Sequence, residues 1–231
     1  KSILHTLQVC GKPSSQGLAV EYEENILPGG GWGSSAAQIV AGIILADRCY
    51  GLGLASGIML DIAQALERHP DNVAAALGGG MVVCYRKKGK FYYQKMAVSP
   101  HLEVLLFVPH SKIVTEQARD LIPDKVPIDD AADNIANFCL LANALRKGDI
   151  CQASLFIKDR LHQPYRAKIY PFSMDLVKRL NTDYQIPAAI SGSGPSVIAF
   201  ISKHSGVEKN MRFEGFDLVK TNISFDGSMT Y

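Results

Sequence analysis

Residues 28–37 read PGGGWGSSAA, four glycines and two adjacent serines standing ahead of an apolar pattern. Upstream, residues 17–27, GLAVEYEENIL, alternate in part and run into Pro28, which predicts a strand entering a loop. Downstream, Ala36, Ile39, Ile43 and Ala46 recur at three- and four-residue spacing. That spacing predicts a buried helix, with Ser34 or Ser35 to cap it and Gly51 to end it. Glycine lets such a turn adopt dihedrals closed to other residues, and the free N–H groups of a helix start form a partly positive cradle for phosphate. The two hydroxyls add hydrogen-bond donors or magnesium ligands. No lysine follows the last glycine, so the pattern is not a Walker A loop. On glycine content alone, a flexible turn ahead of a well-capped helix fits equally.

Working outward, a second helix is predicted from about Ala55 to Arg68 and a short third from Val73 to Leu77, stopped by three glycines at 78–80. MVVCYR and FYYQKM around KKGK predict a hairpin that closes a first domain. Beyond Pro100, a buried strand is expected at Glu103–Val108, helices at about 129–146, 150–161 and 173–183, and a strand at Ser196–Ser202. Helices and hairpin-like strands without regular β-then-α alternation point to an α+β fold. Two domains are expected, residues 1–98 and 99–231.

Bulk properties narrow the function classes. The chain has 231 residues, 47% hydrophobic and 20% charged, with a net charge of +2, which describes a folded globular chain. The one basic run, Arg86, Lys87, Lys88 and Lys90, straddles a glycine and reads as a solvated hairpin tip, so neither nucleic acid nor a membrane is an expected partner. The most apolar stretch, Ile39–Leu54, is interrupted by Asp47 and Arg48 and is too short for a span of about 20 residues. Five cysteines (Cys10, Cys49, Cys84, Cys139 and Cys151) lie far apart, which suggests neither a disulfide framework nor a zinc site and fits a reducing cytoplasm.

Three further segments carry chemistry. In ERHPDN, residues 67–72, Glu67, His69, Asp71 and Asn72 crowd a helix end and suit a magnesium ligand and substrate hydrogen bonds, although Asp71 or Asn72 could equally cap the next helix. TEQAR places Thr115 and Arg119 on one face of a helix, and DRLHQPYR supplies Arg166. Two guanidiniums can grip a carboxylate in bidentate fashion; either arginine alone would more simply serve a surface ion pair. SGSGPS, residues 191–196, is a turn of small residues before a buried strand.

In this order and spacing, these four segments resemble the GHMP kinases and, within them, the homoserine kinases; HPDN, TEQAR and HQPYR together are the marks of that branch. The similarity runs from about Leu18 to Ser202. It implies a two-domain α+β fold, with an N-terminal nucleotide-binding domain and a ferredoxin-like C-terminal domain. It further implies phosphorylation of the L-homoserine hydroxyl by ATP with Mg2+, a step toward threonine, in a cytoplasmic homodimer, the alternatives being another GHMP small-molecule kinase of the mevalonate or sugar type or a non-catalytic remnant that binds nucleotide or an amino acid. The resemblance places Pro28, Gly29, Gly30, Gly31, Trp32, Gly33, Ser34, Ser35, Ala36, Ala37 and Gln38 around ATP. Magnesium falls to Glu67 with Ser34, Asp61 being the alternative carboxylate. Asp71, Asn72, Arg119, Arg166, Gly192 and Ser193 fall to homoserine, and Thr115 and Asn72 to the reacting hydroxyl. Three departures stand out: Trp32 replaces the usual Leu, Arg68 replaces the usual Gly, and nothing matches the family's opening strand and Asn/Asp loop. The chain is therefore expected to lack that first segment.

Overall fold

A computed structural model of the chain describes residues 1–13, 17–26, 28–67, 69–110 and 121–228. It divides into two compact units, one made of Lys1–Pro28, Gly33–Ala97 and Ser224–Tyr231, the other of Gly29–Trp32 and Val98–Ile223.

The first unit contains helices α1 (Ser2–Val9), α2 (Ser34–Tyr50), α3 (Ser56–Gln64) and α4 (Pro70–Gly78), and a hairpin of strands β1 (Met81–Lys87) and β2 (Lys90–Met96). Its core keeps Ala36 and Ile43 of the face read from the sequence, but Val40 rather than Ile39 is the fully buried residue between them; these meet Leu60, Ile62 and Ala63 of α3 and Val73 and Ala74 of α4, with Ile39 only partly buried. Helix α2 packs closely on α1 at Gly42, where a Cβ would fall 1.9 Å from the Ser2 hydroxyl. The C-terminal stretch is tied to this unit by Gly80 N–H donating to the Ser224 carbonyl (2.6 Å) and by Ser228 Oγ–H donating to the Ala76 carbonyl (2.6 Å).

The second unit holds a four-stranded antiparallel sheet built from β3 (Leu102–Pro109), β4 (Ala188–Ile190), β5 (Val197–Ser202) and β6 (Phe216–Asn222), in the order β4-β5-β3-β6. That is the strand order of a ferredoxin-like sheet. Its helices are α5 (Ile128–Lys147), α6 (Ile150–Phe156), α7 (Gln163–Arg166) and α8 (Pro171–Thr182). Leu176, Val177 and Leu180 of α8 pack on Leu105, Phe107, Val197, Ala199 and Ile201 of the sheet, with Met211 and Phe213 completing the layer. The α+β class holds in both units.

Several local expectations are corrected. Residues 17–26 form no strand and are exposed apart from Ile26; no strand among the described residues pairs with them. Gly33, left-handed at φ 78°, is the N-cap of α2, so Ser34 is the first helical residue and no side chain caps from that position. Helix α3 stops at Gln64, four residues short of Arg68, and α6 stops at Phe156, five short of Leu161. Among the described residues no helix is long and apolar enough to cross a membrane.

Candidate functional site

In the first unit the predicted residues gather at the start of α2. That helix has no acidic residue in its first turn, and the N–H groups of a first turn have no intrahelical acceptor. A carboxylate arrives from outside the helix instead. Ser34 Oγ–H donates to Glu24, and Gln38 Nε2–H donates to both oxygens of the same carboxylate, at 2.9 and 3.0 Å. Ser35, the exposed neighbour, directs its hydroxyl to Glu67 Oε2 at 3.5 Å. Asn72, in the first turn of α4, lies beside the loop end, since a Cβ on Gly33 would stand 3.4 Å from its Oδ1. Thus Ser34, Ser35, Gln38, Glu67, Asn72 and Gly33 form one neighbourhood. Asp61 faces elsewhere, 3.8 Å from the Lys90 ammonium. Asp71 is exposed and accepts the Asn72 backbone N–H at 2.7 Å.

The donors at this helix start are carboxylate and hydroxyl oxygens, which suit magnesium better than a soft metal. Among the described residues no group of three or more His, Cys, Asp or Glu side chains is gathered to hold a metal on protein ligands alone. Magnesium, which keeps waters and phosphate oxygens in its shell, fits such a sparse set. A cleft of about 750 Å³ opens beside these residues, lined in part by Glu24, Ser35 and Gln38.

In the second unit, Gly29–Trp32 of the glycine loop meets the SGSGPS turn. Ser191 Oγ–H donates to the Gly31 carbonyl at 2.8 Å, Ser196 N–H to the Gly30 carbonyl at 3.3 Å, and the Trp32 indole N–H to Ser196 Oγ at 2.9 Å. Glycine at 31 is required twice over: its φ is +79°, and a Cβ there would fall 2.1 Å from the Ser191 carbonyl oxygen.

HQPYR is joined to the same turn. Asp159 accepts backbone N–H groups from Leu161 (2.8 Å), His162 (2.9 Å) and Gln163 (2.6 Å), and the Asn134 amide at 3.1 Å. Burial alone would raise its carboxyl pKa, but the hydrogen bonds from His162, Gln163, Leu161 and Asn134 outweigh it and hold the group well below the usual carboxylate range. Gln163, buried, accepts the Ile190 N–H at 3.0 Å, and the Arg166 guanidinium donates to the Gly192 carbonyl. Gly192 is exposed and Ser193 half-buried. Thr115 and Arg119 lie outside the described residues.

Sequence reading passed over Glu24, Asp159, Gln163 and Ser196. Glu24 and Asp159 carry no local signal beyond being acids near a motif, and Gln163 and Ser196 lie inside motifs otherwise marked by an arginine and glycines.

Comparisons with known proteins cover both units. Residues 1–80 match the family described as the GHMP kinases N terminal domain, and residues 141–211 match GHMP kinases C terminal. A homoserine kinase of Streptomyces avermitilis is 38% identical over 221 residues, 94% of this chain and 70% of that protein. The homoserine kinase of Caldanaerobacter subterraneus subsp. tengcongensis is 36% identical over 188 residues, 81% of this chain and 60% of that one. The chain thus spans between 60% and 70% of the length of these two relatives. Among solved structures, the homoserine kinase from Cytophaga hutchinsonii superposes with a TM-score of 0.83 at 27% identity, over 98% of this chain and 76% of that one. Phosphomevalonate kinase from Streptococcus pneumoniae, at 17% identity and a TM-score of 0.71 over 96% of this chain and 80% of its own, shares the fold.

Proposed function

Because the chain belongs to the homoserine kinases of the GHMP kinase family, we propose that it transfers the terminal phosphoryl group of ATP to the side-chain hydroxyl of L-homoserine, giving O-phospho-L-homoserine. One observation carries this reading beyond family membership. HQPYR, one of the three segments that carry the resemblance to this branch, is folded into a hydrogen-bonded unit whose arginine reaches the SGSGPS turn. A motif that binds a small amino acid by its carboxylate needs a guanidinium held in place, and this network supplies the holding.

In this reading, residues 1–98 form the nucleotide-binding domain and residues 99–231 the C-terminal domain. The loop from Pro28 to Gly33 and the helix start through Gln38 receive the ATP phosphates. Glu67, with a hydroxyl of the Ser34–Ser35 pair, would hold magnesium, which when bound neutralises phosphate charge. Arg166, with Arg119, fixes the homoserine carboxylate; Asp71, Asn72, Gly192 and Ser193 bind the rest of the amino acid; and Thr115 and Asn72 stand by the hydroxyl. Phosphoryl transfer asks mainly for alignment and charge stabilisation, so no general base is assigned. The product feeds threonine formation in the cytoplasm, and the working form is a homodimer.

The test is ADP release by the natural full-length protein with Mg-ATP. Homoserine is expected to drive it, and mevalonate and sugars are not. Turnover of mevalonate or a sugar with homoserine untouched would overturn the assignment.

A further inference from the structure

The glycine loop carries the chain's one tryptophan. Its indole lies over Gly30, where a Cβ would stand 3.0 Å from both Cδ1 and Nε1 of the ring and 3.3 Å from Ser196 Oγ. The partner is unusually committed. Ser196 is fully buried; its N–H donates to the Gly30 carbonyl (3.3 Å), its carbonyl accepts the Ser191 N–H (2.8 Å), and its hydroxyl accepts the indole N–H (2.9 Å). From these contacts we propose that Trp32 and Ser196 form a latch that fixes the glycine loop before nucleotide arrives, making them a positioning pair for phosphate binding. The proposal rests on the reading of this loop as the phosphate cradle.

The physical need is plain. Gly29, Gly31 and Gly33 all sit at positive φ, 79°, 79° and 78°. Glycine has more backbone freedom to lose than any other residue, so an untethered loop of this composition would have to be ordered when the ligand binds. Fixing it in the free protein removes that cost from the binding step. Two of the three tethers, to the Gly30 and Gly31 carbonyls, hold the middle of the loop through its backbone. Trp32 is the only residue of Gly29–Trp32 with a side chain, and its bond secures the end that leads into α2. A leucine at this position has no donor and would leave the Ser196 hydroxyl without this partner.

The experiment uses the natural full-length protein with Trp32→Phe, Ser196→Ala and the double variant. Each single change is expected to raise the ATP dissociation constant, and the KM for ATP, about five-fold, the effect of one hydrogen bond, with kcat within about two-fold of wild type. The double variant is expected to match the singles, because either change opens the same latch. In the unliganded protein, Ser196→Ala should make the Trp32 indole, read as the fluorescence that Trp32→Phe abolishes, more accessible to acrylamide quenching. Quenching identical to wild type, single effects that multiply in the double variant, or variants that lose thermal stability while ATP binding is unchanged would each overturn the latch. A wild type that does not bind ATP in calorimetry would overturn the nucleotide reading and the latch's role with it. A wild type that binds ATP no better than its variants overturns the latch alone.

Discussion

Glu24 accepts a hydrogen bond from the hydroxyl of Ser34, the first residue of α2, and so places a carboxylate where the helix start would otherwise face an anion from outside. The Gln38 amide bonds to the same carboxylate. Negative charge at a helix N-terminus is stabilised by roughly 0.3–1 kcal/mol at an exposed position, and Glu24 is exposed. The same physics makes it a competitor for phosphate. Glu24→Ala is therefore expected to lower the KM for ATP about two- to five-fold while slightly lowering the melting temperature. Initial rates against ATP concentration check the first effect and a thermal melt the second; a raised KM would show that Glu24 helps to hold the nucleotide.

Gly29 and Gly31 share a φ of +79° but not their surroundings. Nothing lies within 4 Å of a Cβ built on Gly29, so alanine there meets only the left-handed strain, roughly 1–2 kcal/mol. On Gly31 the added carbon would fall 2.1 Å from the backbone oxygen of Ser191, which no rotamer change can relieve. Gly31→Ala is expected to cost clearly more stability than Gly29→Ala and to raise the KM for ATP further. Denaturant midpoints and ATP titrations of the two variants make the comparison.

What was legible in the sequence is what short-range pattern encodes. Helix α2 was readable because Ala36, Ile43 and Ala46 mark a buried face and glycines bracket both ends. The β1–β2 hairpin was readable from two β-prone runs around a turn. Strand β4 escaped because three residues, Ala188–Ile190, carry no period. Strand β6 escaped because most of it faces water, and α1 carried no cap signal. Residues 17–26 misled because alternation announces a strand only where a neighbour supplies a ladder. At the candidate site, glycine and serine clusters were visible, whereas the Trp32–Ser196 bond joins residues 164 positions apart and has no local signature.

Glu103 points its carboxylate into a nearly closed environment, its side chain only 8% exposed, and Lys220 on the neighbouring strand β6 meets it at 2.9 Å while also reaching Glu208 at 2.9 Å. Bonds from Glu103 and then Glu208 raise the Lys220 pKa. Removing the lysine strands a buried charge, which is worse than removing both partners. Lys220→Met is expected to lower the denaturation midpoint more than Glu208→Gln, and adding Glu103→Gln to Lys220→Met should recover part of the loss. Because the folded Lys220 pKa lies above the unfolded one, the lysine's part of this contribution is complete below about pH 10 and fades as pH rises through the folded value. Melts at pH 7 and in alkali check both statements.

Asp159 organises HQPYR by accepting three successive backbone N–H groups, from Leu161 to Gln163, and the Asn134 amide. Hydrogen bonds to a charged group are worth roughly 1.5–3 kcal/mol each in net terms, and they are shared here by one carboxylate. Asp159→Asn keeps the shape but loses the charge and one acceptor. It is expected to lower unfolding free energy by about 2 kcal/mol at neutral pH and to raise the KM for homoserine, because α7 and Arg166 lose their anchor. The folded pKa lies below the unfolded value of about 3.9, so the stabilisation is fully present above about pH 5. It is lost as pH falls through the folded value, where wild-type Asp159 takes up its proton. The gap between wild type and variant should therefore be widest near pH 7 and narrow progressively below pH ~4. Urea melts at pH 7 and pH 3 measure it. A gap that stays constant across that range would show that Asp159 contributes by shape rather than by charge.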